Sequence, residues 1–189
     1  MDTIAFYDAD PEGYSNRTFS ADISDIRDRF VRVLPEGGRI LDLGCGSGRD
    51  TAAFREMGFS VEPVDGSEGM AAEAEKNTGA PVRVLMFDEL DYEDEFDGVW
   101  ACSSLLHVPS TELPHVFGLV KRSLKENGVF YMSFKEGDFE GMRDGRYYTD
   151  IVADRLRVLI NDAGFRPILI WESEEPGRNI TWVNALVRN

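Results

Sequence analysis

Apolar and polar positions fall into two repeating patterns along the chain, and the switches between them mark out the elements. From Ser20 the apolar residues Ile23, Ile26, Phe30, Val33 and Leu34 recur at helical spacing, which predicts a helix over 21–34, ended by Pro35 and Gly37-Gly38. Residues 39–43 read as a short buried strand, and a helical pattern follows over 49–57 until Gly58 stops it. Residues 59–64 predict a second strand, although Pro63 lacks the N–H that a central strand uses for its ladder. Ser67 is a good N-cap for a short helix over 70–76, and a third strand over 82–86 follows the turn at 78–81. A fourth strand is expected over 96–101. A helix over 113–124 then places Val116, Leu119, Val120 and Leu124 on one side, and a fifth strand over 129–134 follows. Thr149 can cap a last helix with Ile151, Leu156, Leu159 and Ile160 inward, and two strands over 165–172 and 179–187 close the chain, joined by 173–178.

Two segments break the pattern. Residues 4–19 are polar and aromatic, with Tyr7, Tyr14 and Phe19 spaced among acids. Residues 135–148, K-E-G-D-F-E-G-M-R-D-G-R-Y-Y, are glycine-rich, charged and aromatic. That is as long as a loop grows inside a compact domain without a task, and the segment follows the carboxyl end of a strand. It is expected to overhang a site as a lid, and the arm and helix over 1–34 to cap the same site. There is no internal repeat and no second domain, so 1–189 is taken as one domain.

The chemistry centres on R-I-L-D-L-G-C-G-S-G-R-D, residues 39–50. Strand, glycine turn and helix start form the geometry of a nucleotide-type cofactor site, where a Cβ would block approach of backbone to ligand. The dinucleotide fingerprint fails in both registers, because the sixth position is Arg49 from Gly44 and Thr51 from Gly46. A phosphate-binding P-loop fails too, since Gly48 precedes Arg49 and Asp50. What remains is hydrophobic-Asp-hydrophobic-Gly-x-Gly-x-Gly. It resembles motif I of the class I S-adenosylmethionine-dependent methyltransferases, and the chain is similar to their compact bacterial small-molecule types, including the tellurite-resistance and quinone-biosynthesis groups. Asp65, in Val64-Asp65-Gly66-Ser67, stands where an acid after the second strand should hold ribose hydroxyls.

The resemblance implies an α/β fold with a Rossmann-like, seven-stranded, mostly parallel sheet, an antiparallel last strand and helices on both faces. Its cofactor is S-adenosylmethionine, with S-adenosylhomocysteine as product and a small-molecule methyl acceptor as partner. By position, Gly44, Gly46 and Gly48 let backbone pass the methionine half, with Cys45 in a slot that small residues fill. Asp42 could attract the ammonium through water or loop amides, and Asp65 could accept from both ribose hydroxyls, as a carboxylate can. Gly66, Ser67 and Met70 would border the adenosine, Asp88 would read adenine, and Ala101 would continue the floor. His107, in the loop after the fourth strand, is the one group there that titrates near neutrality, and could deprotonate an acceptor. The alternative for His107 is a ring bonded to loop backbone. Tyr147 and Tyr148 are further catalytic candidates, and Tyr14, Arg17 and Lys135 substrate-side candidates. Arg143 and Arg146 could pair with an anionic substrate, though loop arginines are more often solvated. The sulfonium is already activated, so aligning a nucleophile can supply much of the catalysis, and a base is needed only if the acceptor keeps its proton. The alternative function is a non-catalytic S-adenosylmethionine-binding module or partner subunit.

Composition narrows the partners. With 35 acids against 20 bases, a formal charge of -15 repels phosphate backbones and anionic lipid heads, so nucleic acid and membrane are not expected partners. The oligomeric state is left open. Two cysteines, Cys45 and Cys102, cannot build a disulfide framework, and Cys102 reads as packing rather than nucleophile. The opening Met1-Asp2-Thr3 is acidic, no apolar run approaches a membrane span, and a reduced, cytoplasmic setting is expected. His115 lies inside a helix pattern and reads as surface. Scattered histidines and cysteines offer no metal-ligand spacing.

Overall fold

The computed structural model describes residues 3–175 and 177–189; Met1 and Asp2 of the acidic opening, and Pro176 of the last connector, lie outside the described residues. In chain order the elements are α1 (Thr3–Ala9), α2 (Pro11–Thr18), α3 (Ser24–Val31), β1 (Arg39–Leu43), α4 (Arg49–Glu56), β2 (Ser60–Asp65), α5 (Glu68–Thr78) and β3 (Arg83–Val84). There follow β4 (Phe96–Ala101), α6 (Leu113–Ser123), β5 (Leu124–Lys135), β6 (Glu140–Arg143), β7 (Arg146–Thr149), α7 (Ala153–Asp162), β8 (Arg166–Glu174) and β9 (Thr181–Arg188).

Seven strands form one sheet in the order β3-β2-β1-β4-β5-β9-β8. The pairings from β3 to β5 are parallel, and β9 runs antiparallel to both β5 and β8. The antiparallel strand is therefore last in the chain but lies inside the sheet. Period-two alternation sends side chains to two cores. Leu41, Leu43, Val99, Phe130, Met132 and Val183 face α6 and α7, where Phe117, Val120, Leu156 and Ile160 are buried against them. Ile40, Trp100, Tyr131 and Leu186 face the other way and bury Phe30 of α3 and Phe54 of α4. The central parallel strands are buried on both faces, which is why they read as continuous apolar runs. The helix expected over 21–34 is shorter, but Ile23, Ile26, Val33 and Leu34 all pack on this second core.

Pro63 sits inside β2 opposite Asp42 of β1. The Ser60 amide donates to Gly38 and the Val64 carbonyl accepts from Gly44, so the even positions face β1. Pro63 therefore faces the β3 side, and β3 pairs only with Val64 and Asp65. Its missing N–H falls where β3 has not yet begun, so no ladder bond is lost. The expected third strand over 82–86 shrinks to two residues for the same reason. The uncovered edge leaves a cavity of about 490 Å³, lined by Arg55, Phe59, Pro63, Pro81 and Arg83 among others.

The arm over 4–19, whose conformation the sequence leaves open, is two short helices. Two expectations are corrected here. The segment over 135–148 is largely an antiparallel hairpin, β6–β7, with Met142 opposite Tyr147 and Arg143 opposite Arg146. Its glycines do not make it a loose loop, because Gly145 sits at the reversal with φ +81° and the aromatic strand residues pair normally. Thr149 does not cap α7: its hydroxyl donates to the Val108 carbonyl at 2.7 Å, and Val152 stands at the N-cap.

Candidate active site

The carboxyl ends of β1, β2 and β4 meet at the glycine loop. Gly44, Gly46 and Gly48 all have positive φ, at +77°, +54° and +81°, so all three need the left-handed freedom of glycine. Their surroundings differ. A Cβ on Gly44 would meet the Ser104 Cβ at 2.5 Å, and one on Gly48 would meet Thr78 of α5 at 2.7 Å. A Cβ on Gly46 would meet nothing within 4 Å. Of the three, Gly46 alone borders open space where a ligand can lie, while Gly48 admits α5 and Gly44 admits the turn after β4.

Asp65 ends β2 and points at this loop. Its Oδ2 accepts the Gly46 amide at 2.8 Å and its Oδ1 accepts the Ser67 amide at 2.9 Å. Each oxygen keeps a second lone-pair direction for a ligand hydroxyl. Burial raises the pKa of this carboxyl above its ordinary value, against the two amides, which lower it. Asp42 lies near the carboxyl end of β1. It is buried, accepts the Thr51 hydroxyl at 2.5 Å, and faces α4 rather than the space over Gly46. Burial, and then the neighbouring Asp50, raise its pKa. Asp50 is the ionised partner: Arg27, Arg49 and the Trp100 indole all donate to it. This network clamps the start of α4 to α3 and β4.

Ser67 caps α5 through the Met70 amide, as the sequence predicts, but Met70 itself is buried and does not border open space. Cys45 is buried and its amide donates to the Val64 carbonyl. Gly66 is overhung by Met86 and by Ile4 of α1. Asp88 is exposed on a single 3-10 turn over Phe87–Glu89, and Ala101 is fully buried at the end of β4.

The helix α1 bridges the cleft, and its spacing explains how. Ile4 and Asp8 lie one turn apart on one face. Ile4 reaches Gly66, while Asp8 accepts the Ser67 hydroxyl at 2.5 Å and the Gly69 amide at 3.0 Å. Thr3 and Tyr7 lie one turn apart on the neighbouring face. The Thr3 hydroxyl accepts the Tyr147 amide at 2.9 Å, and Tyr7 meets His107. A seven-residue helix is not stable alone, so α1 is held by these contacts at both sides of the cleft.

His107 stands on a 3-10 turn, Leu105–His107, tied to the glycine loop by Ser104, whose hydroxyl donates to the Leu43 carbonyl at 2.7 Å. His107 Nδ1 lies 2.6 Å from the Tyr147 carbonyl and Nε2 lies 2.9 Å from the Tyr7 hydroxyl. A carbonyl has no proton to give, so Nδ1 carries the hydrogen and donates. The neutral ring then offers a lone pair at Nε2, and Tyr7 donates to it. Burial is the main reason that the ring's pKa is pushed down from 6.5 to about 4, with Arg146 and Lys135 adding to it against the Tyr147 bond. Burial also raises the pKa of Tyr7, so its hydroxyl keeps its proton.

The other candidates separate. Tyr14 packs edge-on against Tyr7, centroids 5.0 Å apart. Tyr148 is buried with its ring edge-on to His107 at 5.0 Å. Lys135 lies 4.3 Å from the Tyr148 ring. Tyr147 contributes its carbonyl, whereas its hydroxyl turns away to Glu140 at 3.0 Å. Arg17 is exposed and paired with Asp10 on its own helix, away from the cleft. Thr3, Tyr7 and Asp8 are not singled out by sequence as site residues, and Arg146 only as a possible partner of an anionic substrate. Only the density of aromatic residues in the arm pointed at Tyr7.

Comparison with known proteins agrees with this geometry. Residues 40–128 match the family described as a methyltransferase domain. The ubiquinone biosynthesis O-methyltransferase of Paramagnetospirillum magneticum is 32% identical over 122 residues, covering 62% of this chain and 47% of that protein. The 27-O-demethylrifamycin SV methyltransferase of Amycolatopsis mediterranei is 27% identical over 188 residues, covering 86% and 67%. The chain spans less than half the length of most of the curated relatives it matches. Among solved structures, the 1,6-didemethyltoxoflavin-N1-methyltransferase of Burkholderia thailandensis, crystallised with 1,6-didemethyltoxoflavin and S-adenosylhomocysteine, superposes with a TM-score of 0.80 and 25% identity, covering 98% of this chain and 84% of that one. Among the described residues, no helix is long and apolar enough to cross a membrane and no metal-binding cluster is formed. The strand order with its internal antiparallel β9, the glycine loop and the acid that ends β2 thus go together with these relatives, and residues 40–128 carry a methyltransferase domain similar to those of the class I S-adenosylmethionine-dependent methyltransferases.

Proposed function

We propose that this chain transfers a methyl group from S-adenosylmethionine to a small-molecule acceptor held between the glycine loop, α1 and the β6–β7 hairpin. One observation carries the reading. A single helix, α1, touches the expected adenosine side through Ile4 and Asp8 and the His107 side through Tyr7, lying across the carboxyl ends of the strands.

The residues fit the cofactor. Gly46 borders open space, Asp65 retains acceptor capacity for ribose hydroxyls, and the exposed Asp88 is free to meet an adenine amino group. When bound, the cofactor supplies a methyl carbon activated by a positive sulfur, with a neutral thioether as leaving group. The chain's part is to align the acceptor, exclude water and take a proton if the acceptor has one. Tyr7 and His107 are arranged for the last task. Tyr7 can take the acceptor's proton while its own passes to Nε2, and the Tyr147 carbonyl stabilises the ring that gains it. A ring with so low a pKa is a weak base. The transfer therefore suits a proton that becomes acidic as the acceptor atom is alkylated.

The test is a methyl-transfer screen of the purified chain against pooled small metabolites, read by formation of S-adenosylhomocysteine. Turnover with a pool, and its loss in His107→Gln, supports the reading. Binding of S-adenosylmethionine with no turnover against any pool favours a binding module instead.

A further inference from the structure

Three cations converge on one ring. The Lys135 Nζ lies 4.3 Å from the centroid of Tyr148, and the guanidinium carbons of Arg143 and Arg146 lie 4.4 Å and 5.2 Å from it. Asp150 sits among them, with the Asp144 and Glu175 carboxylates farther out. Asp150 is already committed: both its oxygens accept from Arg143, at 2.8 Å and 2.9 Å. Among the described residues neither Lys135 nor Arg146 forms an ion pair.

Arg146 is the more telling of the two. It stacks on Phe6 at 4.5 Å, and its Nη1 gives a long bond of 3.5 Å to the Tyr7 hydroxyl. Its Nε is buried with no partner. A buried N–H without an acceptor is costly and calls for an explanation. The other such atom is the Nε of Arg27, but that guanidinium is ion-paired with Asp50 at 2.8 Å, a carboxylate it shares with Arg49. Arg146 has no such partner, and it stands beside the Tyr7–His107 pair. A neutral acceptor would leave both positive charges uncompensated as the cleft closes, and a cationic one would be repelled.

We propose that Lys135 and Arg146 form the binding site for an oxyanion, carboxylate or phosphate, carried by the methyl acceptor. The Nε edge of Arg146 offers the side-on geometry that a carboxylate accepts bidentately, and Lys135 supplies a compact second charge. Tyr148 is the ring that both heads share, and its edge meets His107. The identification of the bound anion as the acceptor rests on the methyl-transfer reading above; the existence of the anion site does not.

The experiment titrates the chain, with and without saturating S-adenosylhomocysteine, with benzoate, inorganic phosphate and uncharged benzamide at low ionic strength. Wild type is compared with Lys135→Met, Arg146→Met and the charge-keeping Lys135→Arg and Arg146→Lys. Thermal melting confirms that each variant is folded, and the charge-keeping variants serve where a methionine variant is not. Benzoate or phosphate is expected to bind, and to weaken about tenfold or more in each methionine variant, the loss of one charge-assisted contact. The charge-keeping variants should hold most of that affinity. Benzamide binding as tightly as benzoate, or anion affinity unchanged in both methionine variants, overturns the site. Anion binding that follows these charges in a chain that fails to bind S-adenosylhomocysteine supports the site and rejects the methyl-transfer reading. S-adenosylhomocysteine binding with neither anion bound rejects the site alone.

Discussion

Asp65 holds Gly46: the carboxylate Oδ2 accepts the loop amide at 2.8 Å, across the space between the ends of β2 and β1. The same side chain accepts the Ser67 amide through its other oxygen at 2.9 Å. One residue therefore shapes the glycine loop, starts α5 and presents acceptor lone pairs to the open side of Gly46. Burial raises its pKa, and the two amides that it accepts work against that rise.

Asp65→Ala removes both the acceptor and the brace. Affinity for S-adenosylhomocysteine should fall by about 1–3 kcal/mol, the cost of leaving hydroxyls and amides without an acceptor. Isothermal titration measures it. An unchanged dissociation constant would show that the ribose is held elsewhere.

His107 yields a prediction about pH. Its folded pKa of about 4 lies below the ordinary 6.5. The unfolded chain therefore binds a proton that the folded chain refuses between these values. Stability is retained above pH 6.5 and is lost as pH falls toward 4, by about 3 kcal/mol from this ring. Urea unfolding of wild type and His107→Gln at pH 7 and pH 4.5 should show the gap between them shifting by most of that amount. The chain has two histidines, so the substitution also assigns the ring's signals in an NMR titration. A ring that protonates near 6.5 contradicts the buried, neutral assignment.

The elements that carried the reading were those whose signal is local. The glycine loop, the cap at Ser67 and the acid after β2 each follow from a few adjacent residues, and each stands where the sequence placed it. The strands were legible because burial on both faces makes them continuous apolar runs. What was missed depends on contacts far apart in sequence. Tyr7 meets His107 across 100 positions, and Thr3 meets the Tyr147 amide across 144. Nothing in the pattern of residues 4–19 distinguishes Tyr7 from Tyr14, because the partner that selects Tyr7 lies on another element. The hairpin was misread as a loop because its glycines suggested freedom, whereas Gly141 and Gly145 fall where strand pairing tolerates or needs them. Asp42 shares the alternation parity of Ile40, which turns it toward Thr51, a direction that the motif alone does not give.

Tyr7→Phe separates the hydroxyl from the ring. The bond to Nε2 at 2.9 Å is lost, while the packing against Tyr14 stays. Stability should fall by about 1 kcal/mol, a typical net hydrogen bond. For an acceptor with a proton to lose, kcat should fall by about 10²-fold or more, the usual contribution of a positioned acid–base group. Affinity for S-adenosylhomocysteine should hardly move, because Ile4 and Asp8 still anchor α1. A kcat equal to wild type would remove Tyr7 from proton transfer.

The glycines of the loop offer the sharpest contrast. Gly46→Ala and Gly48→Ala both place a side chain at positive φ, which costs about 1–2 kcal/mol each. The new methyl at position 46 meets nothing within 4 Å and projects into the space assigned to the cofactor. At position 48 it meets Thr78 Cγ2 at 2.7 Å and Ala74 at 3.2 Å, so α4 and α5 must part. Overpacking adds about 1–3 kcal/mol to that second variant. Gly48→Ala should therefore melt lower than Gly46→Ala, while Gly46→Ala should lose more affinity for S-adenosylhomocysteine at a temperature where both are folded. Paired melting curves and titrations decide it. If Gly48→Ala is the one that loses affinity while keeping its stability, the ligand lies on the α5 side of the loop, and the division of roles among the three glycines must be redrawn.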